Sequence, residues 1–512
     1  MMDPIDALAT ALRLFATHAG RSKQSGKEKC RLLLLMTFGA AAIVAMVVER
    51  QQQEQRKLEA LEAAVEAVYT DFWNKNKRKR VTNGDGENQL KRRPCKHDHD
   101  RAWRCIQQDY LGPEPIIFTD KQFEEVYRLT KTAVERLFNT CCQYRPEYFG
   151  RDLKDATGKK GIRVECKVLG ILKCVAFGCS GVAFRDYHQM AGNTFTVNLK
   201  AFFQAIRSDP ELTGTYLRSP TREDAIRVVE LHKKKHKVEG LLGSLDCYHW
   251  SWKNCPVGQQ CHYKNTKNKM STVVLEAMVD SNAWFWHASF GHPGTNNDIN
   301  IWDVSGLQAE LLSDRFTEEV DFSFEMDGEK FRKLWILVDG IYPPLDRFVK
   351  TIPLPVGQTM ERFVAWQESA RKDVERAFGI LARKFQILAR PSEYWYVDDL
   401  KDQMYGCILM HNMMVEERLS RDECDDAGMY AVVRDGEEDA VAAAVNLERH
   451  VQENIGLNPP QESVDAQVKI QIERWKELYD EREHIRLQEA VMNHLVTGYL
   501  TYQQDKYNYK SS

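Results

Sequence analysis

Between residues 236 and 415 the chain carries four short apolar runs, and their order with the intervening helices constrains the fold more than any other feature. Gly240 to Leu245 (GLLGSL) is apolar and ends in Asp246. The runs STVVLEAMVD (271 to 280) and AWFWHASFG (283 to 291) read as strands, with Ser281-Asn282 as the turn between them. A helix is expected from Asp298, a fourth strand in KLWILVDG (333 to 340) ending at Asp339, and a long helix over roughly 360 to 387. Strand, strand, strand, helix, strand, helix describes an α/β layer with a mixed sheet.

The flanking regions read differently. Residues 101 to 235 form a helical domain. Phe118 to Cys142 carries apolar residues at helical spacing, and 166 to 177 is apolar nearly all round, as a buried helix would be. Val182 to Met190, a break at Ala191-Gly192, and Thr194 to Ile206 resemble a helix-turn-helix, with Lys200 and Arg207 as the cations available to a DNA groove. Any helical hairpin gives the same pattern. The α/β layer takes 236 to 418, and 419 to 512 is an acidic linker followed by a charged amphipathic helix suited to packing or self-association.

Residues 1 to 100 are an appendage. Leu32 to Val48 (LLLLMTFGAAAIVAMVV) has no charge and approaches the lower limit of about 17 apolar residues for a bilayer span. It reads either as a membrane anchor or as a buried or partner-binding helix. Lys75, Lys77, Arg78, Lys79, Arg80 and then Lys91, Arg92, Arg93 form two basic clusters, spaced like a bipartite nuclear-import signal and able to grip phosphates. The net charge is -3, so any nucleic-acid contact rests on such local runs. The 13 cysteines include no CxxC pair, which leaves a structural zinc site unsupported.

Four acids stand where folding does not ask for them: Asp246 and Asp339 after apolar strands, Asp298 at a helix start, and Glu375 at the edge of the stripe Val374, Phe378, Leu381, Phe385. Two carboxylates ~4 Å apart repel by about 4 kcal/mol at an effective dielectric of 20. Magnesium or manganese, which prefer oxygen ligands, would neutralise them, and two such ions suit attack on a phosphodiester. Each acid also has a plainer reading. Asp298 suits a helix N-cap, Asp339 a turn before Gly340, Glu375 a pair with Arg371 one turn back, and Asp246 a bond to its own backbone.

The segments GSLDCYHWSWKNCP (243 to 256), HASFGHPGTNNDIN (287 to 300), ILVDGIYP (336 to 343), KDVERAFGILARKF (372 to 385) and MHNMMVEE (410 to 417) resemble the PIF/Harbinger transposases, in order over about 110 to 418. The resemblance implies an RNase H-like DDE nuclease core preceded by the helical domain. It implies that Asp246, Asp339 and Glu375 are the catalytic metal ligands, with Asp298 counted among the metal-binding acids. Water would attack at the element's ends, and the freed 3′-OH would then attack target DNA. The partners implied are double-stranded DNA, both transposon ends and target, a separately encoded Myb-like DNA-binding protein, and further copies of the chain on DNA. The apolar stretch 32 to 48 departs from the family pattern, and sets a membrane anchor against the nuclear location. A domesticated relative that binds DNA or protein without cutting is the alternative function. Weaker candidates for DNA contact are Lys264, Lys267 and Lys269 in the loop between the first two strands, Lys200, and Arg376 and Arg383 on the long helix. Trp250 and Trp252 read as core, and His249 and His411 as structural histidines.

Overall fold

The computed structural model describes residues 97–511, apart from 113–114, 116–118, 155–157, 159, 265–269, 314, 423–475 and 477. The apolar stretch 32 to 48, the basic clusters, Lys267, Lys269 and most of the acidic linker lie outside the described residues. Among the described residues no helix is long and apolar enough to cross a membrane.

The first half is helical because caps and αL stops divide it cleanly. Helix α1 (His99–Ile106) starts at Asp98, whose side chain accepts from Arg101 N. Thr119 and Gln122 form a capping box for α2 (Asp120–Tyr127), and Thr130 caps α3 (Lys131–Tyr144). The single helix expected over 118 to 142 is therefore two. Arg128 takes the left-handed conformation (φ 66°) and stops α2, while the Thr130 hydroxyl restarts the chain. Helix α4 (Val164–Phe177) is buried nearly all round, as its sequence requires, and ends at Gly178 with φ 60°. Beyond it come α5 (Gly192–Ser208), α6 (Pro210–Tyr216, capped by Asp209) and α7 (Arg222–His236, with a Thr221–Asp224 capping box). The first arm of the expected helix-turn-helix is one turn of 3₁₀ helix (Gly181–Phe184) and a four-residue helix (Arg185–His188), too short to serve as a supporting helix.

The sheet has strands β1 (Leu241–Ser251), β2 (Thr272–Val279), β3 (Phe285–Pro293), β6 (Trp335–Leu337) and β7 (Phe348–Val349), in the order β3-β2-β1-β6-β7. A small hairpin, β4 (Phe324–Met326) with β5 (Glu329–Phe331), precedes β6 and was not foreseen. The pairs β3–β2 and β2–β1 are antiparallel, and β1–β6 and β6–β7 are parallel. This mixed order, with helices around it, is that of an RNase H-like core with a helical region attached. Strand β1 runs five residues past Asp246 rather than ending there, because Asp246 to Ser251 still pair with β2. The β2–β3 turn is held by buried Asp280, which accepts from Asn282 N, Trp284 N and Trp286 Nε1.

The remaining helices are α8 (Asp298–Val304), α9 (Gly306–Leu311), α10 (Gln358–Lys384), α11 (Val397–Asp422) and α12 (Glu481–Ser511). One core joins α1 to α5, β2, β3, α10 and α11, so the stretches 101–235 and 236–418 share it. A second gathers Leu241, Leu245, β6, β7, Trp302 of α8, and Leu487, Ala490 and Val491 of α12. Helix α12 thus packs on the sheet it follows, and Asp346 N donates to Leu478 O just before it.

Candidate functional site

Strand register brings the first two acids together. In the parallel pairing of β1 with β6, Ser244 stands opposite Leu337, and no pair follows it. Asp246 and Asp339 each lie two residues beyond that pair, so both fall on one face where the ladder opens. An open strand end of an α/β sheet is a place for ligands. On the same face α10 crosses β1. Ser244 Oγ donates to Ala370 O at 3.5 Å, and the Tyr248 and Phe378 rings lie 5.4 Å apart. Buried Gln367 ties the helix to the strand ends, its Nε2 donating to Val338 O at 2.9 Å and Val349 O at 3.2 Å. Arg371 and Glu375, between these anchors, reach the Asp246 side of the sheet.

Arg371 joins two of the acids. Its Nη1 is 2.8 Å from Asp246 Oδ2, and its Nη2 is 3.3 Å from Glu375 Oε1. The i−4 pair read from the sequence is therefore present, but it extends to Asp246 and is part of the site. Asp246 Oδ1 accepts from Cys247 N at 2.8 Å, and Asp339 Oδ1 from Gly340 N at 2.6 Å. One oxygen of each is thus fixed by the backbone, as the plainer readings had it, and Arg371 takes the other oxygen of Asp246. Asp298 is not the N-cap of α8. Asn297 is, accepting from Asn300 N at 2.8 Å, which releases Asp298 from that duty.

The acids feel one another. Burial raises the Asp246 carboxyl above its ordinary value, opposed by the Cys247 N–H and by Arg371, and the charges of Asp298 and Glu375 push it further up. Burial likewise raises Asp298, opposed by the Cys247 thiol and His249, and Asp339 and Glu276 add to the rise. Burial is the main cause of both shifts, and the neighbouring acids add to it. The donor set is all oxygen, which suits a hard divalent cation. Among the described residues, however, no three His, Cys, Asp or Glu side chains stand arranged to hold a metal ion. Arg371 supplies the counter-charge between Asp246 and Glu375.

Glu276 was not singled out in the sequence. It is fully buried on β2 opposite Cys247, and neither carboxylate oxygen accepts a hydrogen bond; His287 Nε2 lies 3.4 Å from its Oε2. Its placement inside an apolar run, LEAMV, gives no sequence signal beyond an acid at a buried strand position.

The weaker candidates are dispersed. Lys264 is exposed at the edge of the undescribed loop. Lys200 on α5 pairs with Asp399 at 2.6 Å, and Arg207 with Asp402 at 2.7 Å, so both cations of the supposed reading helix face α11. Arg376 donates to Ser281 O at 2.6 Å and pairs with Asp373 at 3.0 Å. Arg383 is exposed near the end of α10. Trp250 and Trp252 are core residues, each donating its indole N–H to a backbone carbonyl. His411 is buried, donates to Ala283 O, and is kept neutral by burial, which lowers it to about 4. His249 bonds Thr272 Oγ1 at 3.1 Å beside Asp298.

No curated protein and no solved structure matches the chain. Residues 214–422, which hold all four acids, match the family model described as a plant transposon protein, and over that stretch the chain is similar to transposon-encoded proteins.

Proposed function

We propose that the chain is a divalent-metal-dependent DNA endonuclease and strand transferase of the PIF/Harbinger type. The observation that carries this reading is the shared register of Asp246 and Asp339 at the open end of β1 and β6, with α10 bringing Glu375 to Asp246. Asp246, Asp339, Asp298 and Glu375 would hold magnesium or manganese, with two ions matching the number of acids. When bound, the metal supplies charge neutralisation at the phosphodiester and activation of the attacking oxygen. The protein's part is positional. Backbone N–H groups fix one oxygen each of Asp246 and Asp339, Asn297 frees Asp298 by capping α8, and Gln367 sets the height of α10 on the sheet. Arg371 holds the second oxygen of Asp246 and one oxygen of Glu375, so it would have to give these up when metal enters.

In this reading the substrates are transposon ends and target DNA, and several copies of the chain act on them. A Myb-like partner supplies sequence recognition, in keeping with the engagement of Lys200 and Arg207 by α11. The basic clusters at 75 to 93 direct the protein to the nucleus.

The test is nicking of DNA by the full chain, since α12 belongs to the core. It is run with and without Mg²⁺ or Mn²⁺, beside Asp246→Ala and Glu375→Ala. Cutting that needs metal and is lost in both variants supports the nuclease. Absence of cutting by the wild type, with cognate ends and a Myb-like partner supplied, moves the assignment to a domesticated binding protein.

A further inference from the structure

We propose that Arg371 is a resident counter-cation that competes with divalent metal for Asp246 and Glu375, and so weakens the affinity of the site for metal. This rests on the metal-site reading above, but adds a residue and a property that the reading does not contain.

Two guanidinium nitrogens of Arg371 each take one acid, Asp246 at 2.8 Å and Glu375 at 3.3 Å. Asp246 and Glu375 are two of the four acids that would hold a metal ion. The guanidinium keeps its charge at any physiological pH, so it cannot make room by losing a proton. It must swing aside. Its position on α10 allows this, since the side chain is partly exposed and none of its contacts other than these two acids is needed to hold the helix, which Gln367 and Phe378 anchor.

The arrangement has a consequence for the apo protein. Without Arg371, the charges of Asp246 and Glu375 would stand unneutralised beside that of Asp298, and would draw a cation more strongly. Arg371 therefore neutralises Asp246 and Glu375 in the metal-free protein, and its charge opposes the entry of a second cation. Arg371 is a positioning residue in this scheme. It touches the acids, and metal affinity is the property it sets.

The experiment measures Mn²⁺ binding to the full chain by electron paramagnetic resonance of the free ion, for wild type, Arg371→Gln, Arg371→Lys and Asp246→Asn, with nicking followed in parallel. Arg371→Gln is expected to bind Mn²⁺ about tenfold more tightly than wild type, as removal of one like charge in a partly screened site would allow. Arg371→Lys, which keeps the charge but loses the fork, falls between the two, and Asp246→Asn binds more weakly than wild type. Should the Gln variant fail to fold, the Lys variant carries the test, and its tighter binding supports the proposal. Unchanged or weaker binding in folded Arg371→Gln or Arg371→Lys overturns it, and if wild type still nicks DNA the nuclease reading stands alone. Tighter binding in a protein that never nicks keeps the counter-cation and sinks the nuclease. No Mn²⁺ binding by any folded variant overturns both.

Discussion

Asn412 closes the free edge of the sheet by bonding both backbone groups of Phe285. Its Oδ1 accepts from Phe285 N at 3.0 Å, and its Nδ2 donates to Phe285 O at 3.0 Å and to Tyr216 O at 2.8 Å. Strand β3 is an edge strand, and exposed edges invite pairing with other chains. Tyr405 covers the same edge further along, its hydroxyl accepting from Phe290 N at 2.9 Å. Asn412→Ala leaves buried backbone groups unpaired and should cost roughly 2–4 kcal/mol in urea unfolding. Asn412→Asp should cost about as much, since a carboxylate accepts but cannot donate. A loss below about 1 kcal/mol for the Ala variant would show that water replaces the side chain.

Asp298→Asn should remove function and raise stability together. The folded carboxyl is raised, so at neutral pH its charged form costs stability, and a neutral isostere relieves that cost. In metal-free buffer the variant should melt above wild type near pH 7. The difference shrinks as pH falls through the folded value, because wild-type Asp298 then takes up its proton in the native state. Calorimetry across that range, paired with Mn²⁺ titration, checks this. A variant that melts lower than wild type at neutral pH would mean that Asp298 is a structural anchor.

How much of this was legible depended on distance along the chain. Asp246 and Asp339 stood out because each follows an apolar run, and both lie just past the last pair of the β1–β6 ladder, although β1 itself continues to Ser251. The stripe Val374, Phe378, Leu381, Phe385 is buried as its spacing requires, and Glu375 follows the first of these residues on the helix. Arg371 could be read as a neighbour of Glu375 at i−4, but its contact with Asp246 spans 125 residues of sequence and leaves no local trace. Glu276 and His287 each sit in an apolar strand whose pattern is satisfied without them, so their approach became visible only through the β2–β3 register. Helix α5 misled for the opposite reason. Its spacing and cations suit a recognition helix, yet the same amphipathic pattern serves a helix packed on α11.

Lys200→Ala should leave DNA binding unchanged. The ammonium is paired with Asp399 on a partly exposed surface, where such pairs contribute up to about 1 kcal/mol. Fluorescence anisotropy with duplex DNA at several salt concentrations should give overlapping curves for wild type and variant. A weaker variant whose salt slope falls by about 1 would instead identify Lys200 as a phosphate contact, and α5 as a DNA-facing helix after all.

Asp373 ties α10 to α7 and sets a pH limit on that joint. Its carboxylate accepts from Lys235 Nζ at 2.9 Å and His236 Nε2 at 2.8 Å, and pairs with Arg376 at 3.0 Å. Burial alone would raise the group, but the bonds from His236 and Lys235, with the charges of Lys235 and Arg376, bring it down to about 2. A folded value below the unfolded one means that the ionised form favours the native state. The contribution is complete above the unfolded value near 4 and is lost as pH falls toward 2. Asp373→Asn should therefore cost about 2 kcal/mol near pH 7, discounted for the partial exposure of its Lys235 and Arg376 partners. The gap between wild type and variant should narrow steadily between pH 4 and pH 3 in urea titrations. A gap that stays constant across that interval would place the cost in lost hydrogen-bond geometry rather than in charge, because only a titrating carboxylate makes it depend on pH.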